Sequence, residues 1–355
     1  MPATQRTNGT QRSERAPRTG GAGLALVSTG LFPISLGLAG VGSTVRRLGD
    51  VVDQIWLGTV GTTLLVVAAL TLVLDALLYG VKLVRSAMDV RDEIAMATSA
   101  NLLAPAFMAT CILGAELARG HSSGRWVWGL GALGHVLLLS RFVGRWVVAE
   151  TAPSELNPTW FLPTAGLMTS AMTWPGVGPD MTGWILFGVG AGLWIMVLPL
   201  VFRRVVFEDP LAAPLRPTLF ILAAPFGLAG NAMLNLPGID RSEFATALAG
   251  AGCFVVLTLV SRPRFFAAAG VALSWWAMTF PVATVGRVFI ELHARDPNNL
   301  ALGIGAGMLA LAAACTGVAV MATVRFGRVV VSGDEAMAER EVMALCGEQH
   351  AEAEL

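Results

Sequence analysis

Five long hydrophobic segments of this chain each carry a proline well inside the apolar run, whereas the hydrophobic segments between them are almost free of proline. In a membrane-spanning helix, an internal proline leaves the carbonyl one turn earlier without its backbone donor and bends the helix axis. Lipid cannot hydrogen-bond that carbonyl, so such segments are tolerated where protein or a water-filled cavity covers them. The pattern predicts five bent inner helices around a pore, with kinks at Pro33, Pro105, Pro163, Pro225 and Pro281.

The composition is that of an integral membrane protein. Hydrophobic residues make up 55% of the 355 residues, charged residues make up 14%, and the mean hydropathy is +0.67. These values lie outside the range of soluble domains of this length. Apolar runs of ~20 residues, the length that crosses a bilayer, are predicted at 24–45, 55–84, 98–118, 126–149, 159–174, 181–202, 217–234, 244–260, 265–290 and 300–324.

The basic residues predict how the chain is oriented in the membrane. Ten crossings put both termini on one side, and assigning that side to the cytoplasm places 17 of the 24 lysines and arginines there. We therefore expect a multi-pass protein of the cell membrane, plasma or inner, with both termini cytoplasmic. Residues 1–23 are predicted to be a disordered cytoplasmic arm, residues 24–329 the transmembrane pore domain, and residues 330–355 an acidic cytoplasmic tail.

Several functional classes find no support in the sequence. A formal net charge of zero gives no indication of nucleic-acid binding. The four cysteines suggest neither a disulfide framework nor a metal site. The four histidines lack metal-binding spacing, and no serine or cysteine lies in a nucleophile motif. We therefore predict no cofactor and no metal, and an intramembrane enzyme is disfavoured.

Local repeats indicate that the folding unit is a helical hairpin. Residues 158–161 and 217–220 both read Pro-Thr-x-Phe, and each leads to a proline and then to Gly-Leu. The unit predicted from this repeat is one bent helix followed by one straighter helix. The bent segments hold hydroxyl side chains but almost no ionisable group in their central turns, so the predicted passage is apolar and uncharged. We expect the hydroxyls to satisfy the carbonyls that the prolines free.

Three stretches carry a resemblance to a known family. They read FPISLGL at 32–38, NLLAP at 101–105 and SWWAMTFP at 274–281. They resemble the first, third and ninth helices of the tellurite-resistance/dicarboxylate transporter family, which includes bacterial permeases similar to TehA and the plant slow-type anion channels. Two positions depart from the family pattern, since leucines replace phenylalanines in the third helix and Pro33 replaces a glycine.

The resemblance implies an all-α membrane protein of ten transmembrane helices, arranged as five tandem hairpins with quasi-fivefold symmetry around a central pore. It also implies a homotrimer in which each subunit has its own pore. By position in the Thr-Phe-Pro motif, Phe280 is the expected pore gate, with Gly37, Thr279 and Asn101 beside the pore. Phe280 follows Phe265 by 15 residues, about 22 Å along a continuous helix, which agrees with a position near mid-membrane.

Two transport mechanisms remain open from the sequence. The first is an anion channel whose apolar pore is gated by Phe280. Arg287 lies seven residues beyond Phe280, about 10 Å along a helix, and could attract anions; its side chain could equally snorkel to the interface.

The second mechanism is a proton-coupled transporter or exporter of a C4-dicarboxylate, sulfite or tellurium oxyanion. Ionisable residues inside membranes are candidate functional groups, and here Asp75, Glu116, His135 and Glu291 are available. We favour structural pairing among Asp75, His135 and Arg141, because unpaired charges in a bilayer are costly. In either mechanism the partners are small inorganic or organic anions and the lipid bilayer.

Overall fold

The computed structural model describes residues 27–150, 152–176, 179–238 and 240–331. All regular secondary structure within these residues is helical. The predicted arm at 1–23 and nearly all of the predicted tail at 330–355 lie outside the described residues. The α-helices are α1 Phe32–Val51, α2 Ile55–Arg85, α3 Ala87–Ala95, α4 Ala97–Asn101, α5 Ala104–Ala118, α6 Ser123–Val148, α7 Met168–Met172, α8 Met181–Phe207, α9 Ala224–Asn235, α10 Ser242–Val260, α11 Pro263–Ala267, α12 Thr279–Arg295 and α13 Asn299–Val331.

Seven helical stretches of the described chain are long and apolar enough to cross a membrane. They coincide with the predicted second, third, fourth, sixth, seventh, eighth and tenth segments, so the protein is an all-α multi-pass membrane protein. The first and ninth segments contain the helices α1 and α12, which carry charged residues in their last turns. The fifth segment contains only short helical pieces. Ten crossings therefore remain a prediction.

The five proline-bearing segments form the inside of the bundle, which we call the inner ring. Each packs against the long helix that follows it, and the five also contact one another in a closed order. That order runs from α1 to α5, then to α7, α9 and α12, and back to α1. The intervening helices α2, α6, α8, α10 and α13 turn leucine, valine, isoleucine and phenylalanine side chains outward. Such an apolar outer surface suits contact with lipid chains.

Four of the five prolines stand at helix starts and the fifth lies in a turn, so none of the five lies at a bend within a continuous α-helix. Pro33, Pro105 and Pro225 are the second residues of α1, α5 and α9, respectively. Pro281 is the third residue of α12, and Pro163 lies in a turn between two 3₁₀ segments. The predicted kinks are thus breaks. The first turn of an α-helix tolerates proline because an N–H there has no intrahelical acceptor.

At three of the prolines, a 3₁₀ turn supplies a backbone donor to the carbonyl that the proline cannot serve. The N–H of Phe32 donates to the carbonyl of Thr29, and the N–H of Ala224 donates to that of Ile221. Likewise the N–H of Leu162 donates to the Thr159 carbonyl at 2.9 Å. Each acceptor lies four residues before a proline, so the residue preceding the proline serves it at the shorter 3₁₀ spacing. We expected hydroxyls to serve these carbonyls, but at these three prolines the donor is a backbone N–H.

Candidate functional site

The inner ring encloses a narrow central cavity of about 40 Å³, room for only a few water molecules. Every lining residue belongs to one of the five proline-bearing segments. Pro33, Pro105 and Pro281 line the cavity themselves. At the fifth and seventh segments it is lined instead by Leu162 and Ala224, the neighbours of Pro163 and Pro225.

Among the residues that the structure describes, no charged side chain lines the cavity. Its hydroxyl side chains come from the third, fifth, seventh and ninth segments and are Thr98, Thr159, Thr218 and Ser274. The hydroxyls of Thr159 and Thr218 already donate, at 2.6 Å each, to Asn157 Oδ1 and to the Leu215 carbonyl. Ser274 donates to the Pro214 carbonyl. These three hydroxyls are committed to the protein, so the cavity surface is mainly apolar, as the sequence predicts.

Asn101 joins the third and fifth segments rather than facing the cavity. It is completely buried, and its Nδ2 donates to Thr159 Oγ1 at 3.0 Å. Asn157 Nδ2 donates in turn to Thr98 Oγ1, also at 3.0 Å. The next residue along the chain, Leu102, does line the cavity. Asn101 therefore positions one side of the cavity wall through a side-chain network.

Phe280 lines the cavity from the second position of α12, with 3% of its surface exposed. Its carbonyl accepts a hydrogen bond of 2.7 Å from the Thr284 hydroxyl. Behind the ring lies Gly40 of α1, where an added Cβ would stand 2.4 Å from Phe280 Cδ2. Gly40 was missed by sequence reasoning. The available signal was its spacing from Gly37, since residues three apart share a helix face.

Gly37 packs against the residues that precede Phe280. A Cβ at this position would lie 2.3 Å from Thr279 Oγ1 and 2.9 Å from the ring of Trp276. The Thr279 hydroxyl donates to the Trp276 carbonyl at 2.8 Å, so it faces α1 while remaining hydrogen-bonded. The first and ninth segments thus touch at two successive glycines.

The ninth segment is broken before Phe280, which removes the basis for one prediction. α11 ends at Ala267, and a 3₁₀ turn covers Leu273–Met278 before α12 begins. The estimate of 22 Å between Phe265 and Phe280 assumed a continuous helix, and that assumption does not hold. The central position of Phe280 depends instead on its place in the cavity wall.

Ion pairs tie together the ends of α1, α5 and α12 beyond the cavity. Glu291 accepts hydrogen bonds from Arg47 Nε and Nη2, the shortest at 2.8 Å, and lies 3.5 Å from Arg287. Glu116 pairs with Arg46 at 3.2 Å and with Arg119 at 3.3 Å. Both glutamates are thus neutralised by arginines. Two arginines share Glu291, which leaves an excess positive charge next to Arg287.

The expected pairing among Asp75, His135 and Arg141 is wrong. His135 is fully buried, and its Nε2 lies 3.1 Å from the carbonyl of Pro163. Asp75 is buried on α2, and its Oδ2 has no hydrogen-bond partner within the described part of the chain. Arg141 lines a separate groove. In the ranges that the structure covers, no three His, Cys, Asp or Glu side chains are placed to hold a metal ion.

Comparison with known proteins places these features in a family. The sequence profile of the family SLAC1, described as voltage-dependent anion channel, matches residues 27–324. An uncharacterized transporter of Methanocaldococcus jannaschii is 29% identical over 205 residues, which are 50% of this chain and 59% of the relative. A second uncharacterized transporter of that organism is matched over 53% of its length, so the chain spans little more than half of these two relatives.

Two further relatives have more specific names. The tellurite resistance protein TehA homolog of Haemophilus influenzae is 25% identical over 261 residues, covering 72% of this chain and 78% of the relative. The guard cell S-type anion channel SLAC1 of Arabidopsis thaliana is 27% identical over 165 residues, covering 45% of this chain and 29% of the relative. The named relatives are channels, transporters or a resistance protein, and none is named as an enzyme.

Proposed function

Because the chain belongs to the SLAC1 family of voltage-dependent anion channels, we propose that it passes small anions across a membrane through its central cavity. The observation that carries this proposal is the cavity itself, which within the described part of the chain is lined by the five proline-bearing segments and by no charged side chain. An apolar, uncharged passage selects through diameter and dehydration rather than through strong ion binding. This chemistry suits a channel with modest selectivity among monovalent anions.

Phe280 is the proposed gate of this passage. Phe280 and Trp276 are the largest side chains of the ninth segment that line the cavity, and the volume of the cavity is only about 40 Å³. The proposed role of Arg287 is to raise the local anion concentration at the cavity's far end. Support comes from the excess of arginine over glutamate around Glu291.

The proposal includes an arrangement in the membrane. Ten crossings in five hairpins with quasi-fivefold symmetry agree with the closed order of contacts within the inner ring. Both termini are proposed to be cytoplasmic, in the cell membrane, because this orientation places most basic residues inside. A homotrimer with one pore per subunit is proposed on the family resemblance.

The test is conductance of the purified protein in planar bilayers, with chloride, nitrate, malate and sulfite compared. Replacing Phe280 by alanine removes most of the ring from the cavity wall, so the anion current should rise. Phe254→Ala is the matched control, since Phe254 lies on α10 and is 72% exposed on the outer surface. A current unchanged by Phe280→Ala in a correctly folded protein would reject the gate.

A second candidate function is proton-coupled transport of a C4-dicarboxylate, sulfite or tellurium oxyanion. The observation that favours it is the buried carboxylate of Asp75, whose Oδ2 has no hydrogen-bond partner among the described residues. Such a group is a candidate proton carrier. Uptake driven by an imposed pH gradient and abolished by Asp75→Asn would support this carrier over a channel. Uptake that does not depend on the pH gradient would reject proton-coupled transport.

A further inference from the structure

A second groove opens at the face of the bundle where the described chain begins, which we call the N-terminal face. Its volume is about 470 Å³, and none of its lining residues borders the central cavity. The groove lies between the α3–α4 region, the end of α6 and the start of the fifth segment. We call it the arginine groove; its principal residues are Leu103, Leu138, Arg141, Phe142, Arg145, Trp146, Glu155 and Trp160.

The arginine groove carries one uncompensated positive charge. Arg145 donates to the Ala95 carbonyl and lies 3.9 Å from Glu155, so its charge is partly balanced. Arg141, one turn deeper on α6, is exposed and makes no ion pair or hydrogen bond with the described residues. Guanidinium groups match the geometry of phosphate oxygens and bind them with charge-assisted hydrogen bonds. Arg141 is thus available to an external anionic group.

The rest of the groove is lined by aromatic and aliphatic side chains. Trp146 and Trp160 stack with their ring centroids 5.2 Å apart and their planes 9° apart, and Phe142 meets both edge-on. Leu103, just before α5, and Leu138, on α6, also line the groove. Leu138 precedes Arg141 by about one turn of α6, so an apolar wall lies on the side of the guanidinium that points away from the helix end.

The position of the groove fits the membrane interface. The residues that follow Trp146 on α6 are Val147 and Val148, which are 80% and 83% exposed. An arginine beside stacked tryptophans at a helix end is typical of the level of lipid headgroups. A soluble anion would use the guanidinium but gain nothing from the apolar walls, whereas a lipid uses both.

We propose that the arginine groove binds an anionic phospholipid. The lipid phosphate pairs with Arg141, the headgroup lies beside Trp146 and Trp160 toward the end of α6, and an acyl chain lies along Leu138 and Leu103. Glu155 disfavours a highly charged headgroup, so a singly charged lipid such as phosphatidylglycerol fits best. The cytoplasmic leaflet, which this face meets in the proposed orientation, is rich in anionic lipid.

The experiment measures binding and does not depend on transport. The delipidated, detergent-solubilised protein is titrated with short-chain phosphatidylglycerol, short-chain phosphatidylcholine or glycerol phosphate, and the thermal midpoint is followed. Phosphatidylglycerol should raise the midpoint of the wild type. Arg141→Gln should weaken the apparent affinity about fivefold or more, because one arginine near the surface contributes that much to anionic lipid binding.

Arg203→Gln is the matched control, because Arg203 is exposed near the end of α8 at the same face and lies outside the groove. Equal affinity of Arg141→Gln and wild type, or an equal response to phosphatidylcholine, would overturn the proposal. A full response to glycerol phosphate would show that the groove binds a soluble anion rather than a lipid, and would also overturn the proposal. If Arg141→Gln does not fold, a photoactivatable phosphatidylglycerol decides the matter on the wild type. Cross-links must then fall on 94–103 or 138–160.

Discussion

The ring of Phe280 rests directly on the backbone of Gly40, where an added Cβ would be 2.4 Å from Cδ2 and 3.2 Å from Cε2. Real Cβ atoms do not approach so closely, so the glycine is required for the ring to occupy this place. Because the same ring lines the cavity, the contact links the packing of α1 against α12 to the width of the passage. The size of the residue at position 40 therefore limits where the Phe280 ring of the proposed gate can lie.

We predict that Gly40→Ala lowers anion flux several-fold, since a methyl group on α1 displaces the Phe280 ring toward the cavity. The measurement is the current in planar bilayers. Gly129→Ala is the control, because no atom lies within 4 Å of a Cβ built there. In a Phe280→Ala background the same Gly40→Ala change should have little effect. An equal loss of current in both backgrounds would contradict a pathway through Phe280.

A buried ion pair holds the start of the first segment. Lys82 Nζ donates to Glu93 Oε2 at 2.7 Å and to the Val27 carbonyl at 2.6 Å, while Glu93 Oε1 accepts from the Thr29 N–H at 2.8 Å. Less than a tenth of either charged side chain is exposed. Gly30, the next residue of this segment, lines the cavity. The pair thus fixes the chain where it enters the cavity wall.

We predict that Glu93→Ala destabilises the protein by about 3–5 kcal/mol, because it leaves the Lys82 ammonium buried without its partner. Hydrogen exchange at the Thr29 amide should also become faster. Replacing both residues, as Lys82→Met with Glu93→Leu, should cost less than the single change. Asp92→Ala is the control, because Asp92 is the exposed neighbour of Glu93. Chemical unfolding in detergent gives the values, and a harmless Glu93→Ala would exclude a role for the pair.

The inner position of the proline-bearing segments could be predicted from the sequence because lipid excludes backbone that lacks a hydrogen-bond partner. The uncharged cavity followed from the residue types of the same segments. The helix breaks could not be predicted in this way, since α-helical and 3₁₀ turns fit the same apolar pattern. The contacts of His135 with Pro163, of Glu93 with Thr29 and of Glu291 with Arg47 were also out of reach, because these partners are 28 or more residues apart and follow no periodicity.

His135 should stabilise the break in the fifth segment. Its Nε2 lies 3.1 Å from the Pro163 carbonyl, and its ring packs beside Gly166. We predict that His135→Phe costs about 1–3 kcal/mol, the penalty of an unsatisfied buried carbonyl, and that His135→Gln recovers part of it. His121→Phe, at an exposed position, should be neutral. Unfolding in detergent measures each value, and equal stability of His135→Phe and wild type would contradict this role.

The difference between a helix start and a helix bend can be tested with two prolines of this chain. Pro225 is in the first two positions of α9, where its missing N–H has no acceptor, whereas Pro199 lies inside α8. We predict that Pro225→Ala changes stability by less than about 1 kcal/mol, while Pro199→Ala is stabilising because it restores a backbone hydrogen bond. Thermal midpoints in detergent compare the two. If Pro225→Ala stabilised the protein as much as Pro199→Ala, the seventh segment would be a bent helix after all.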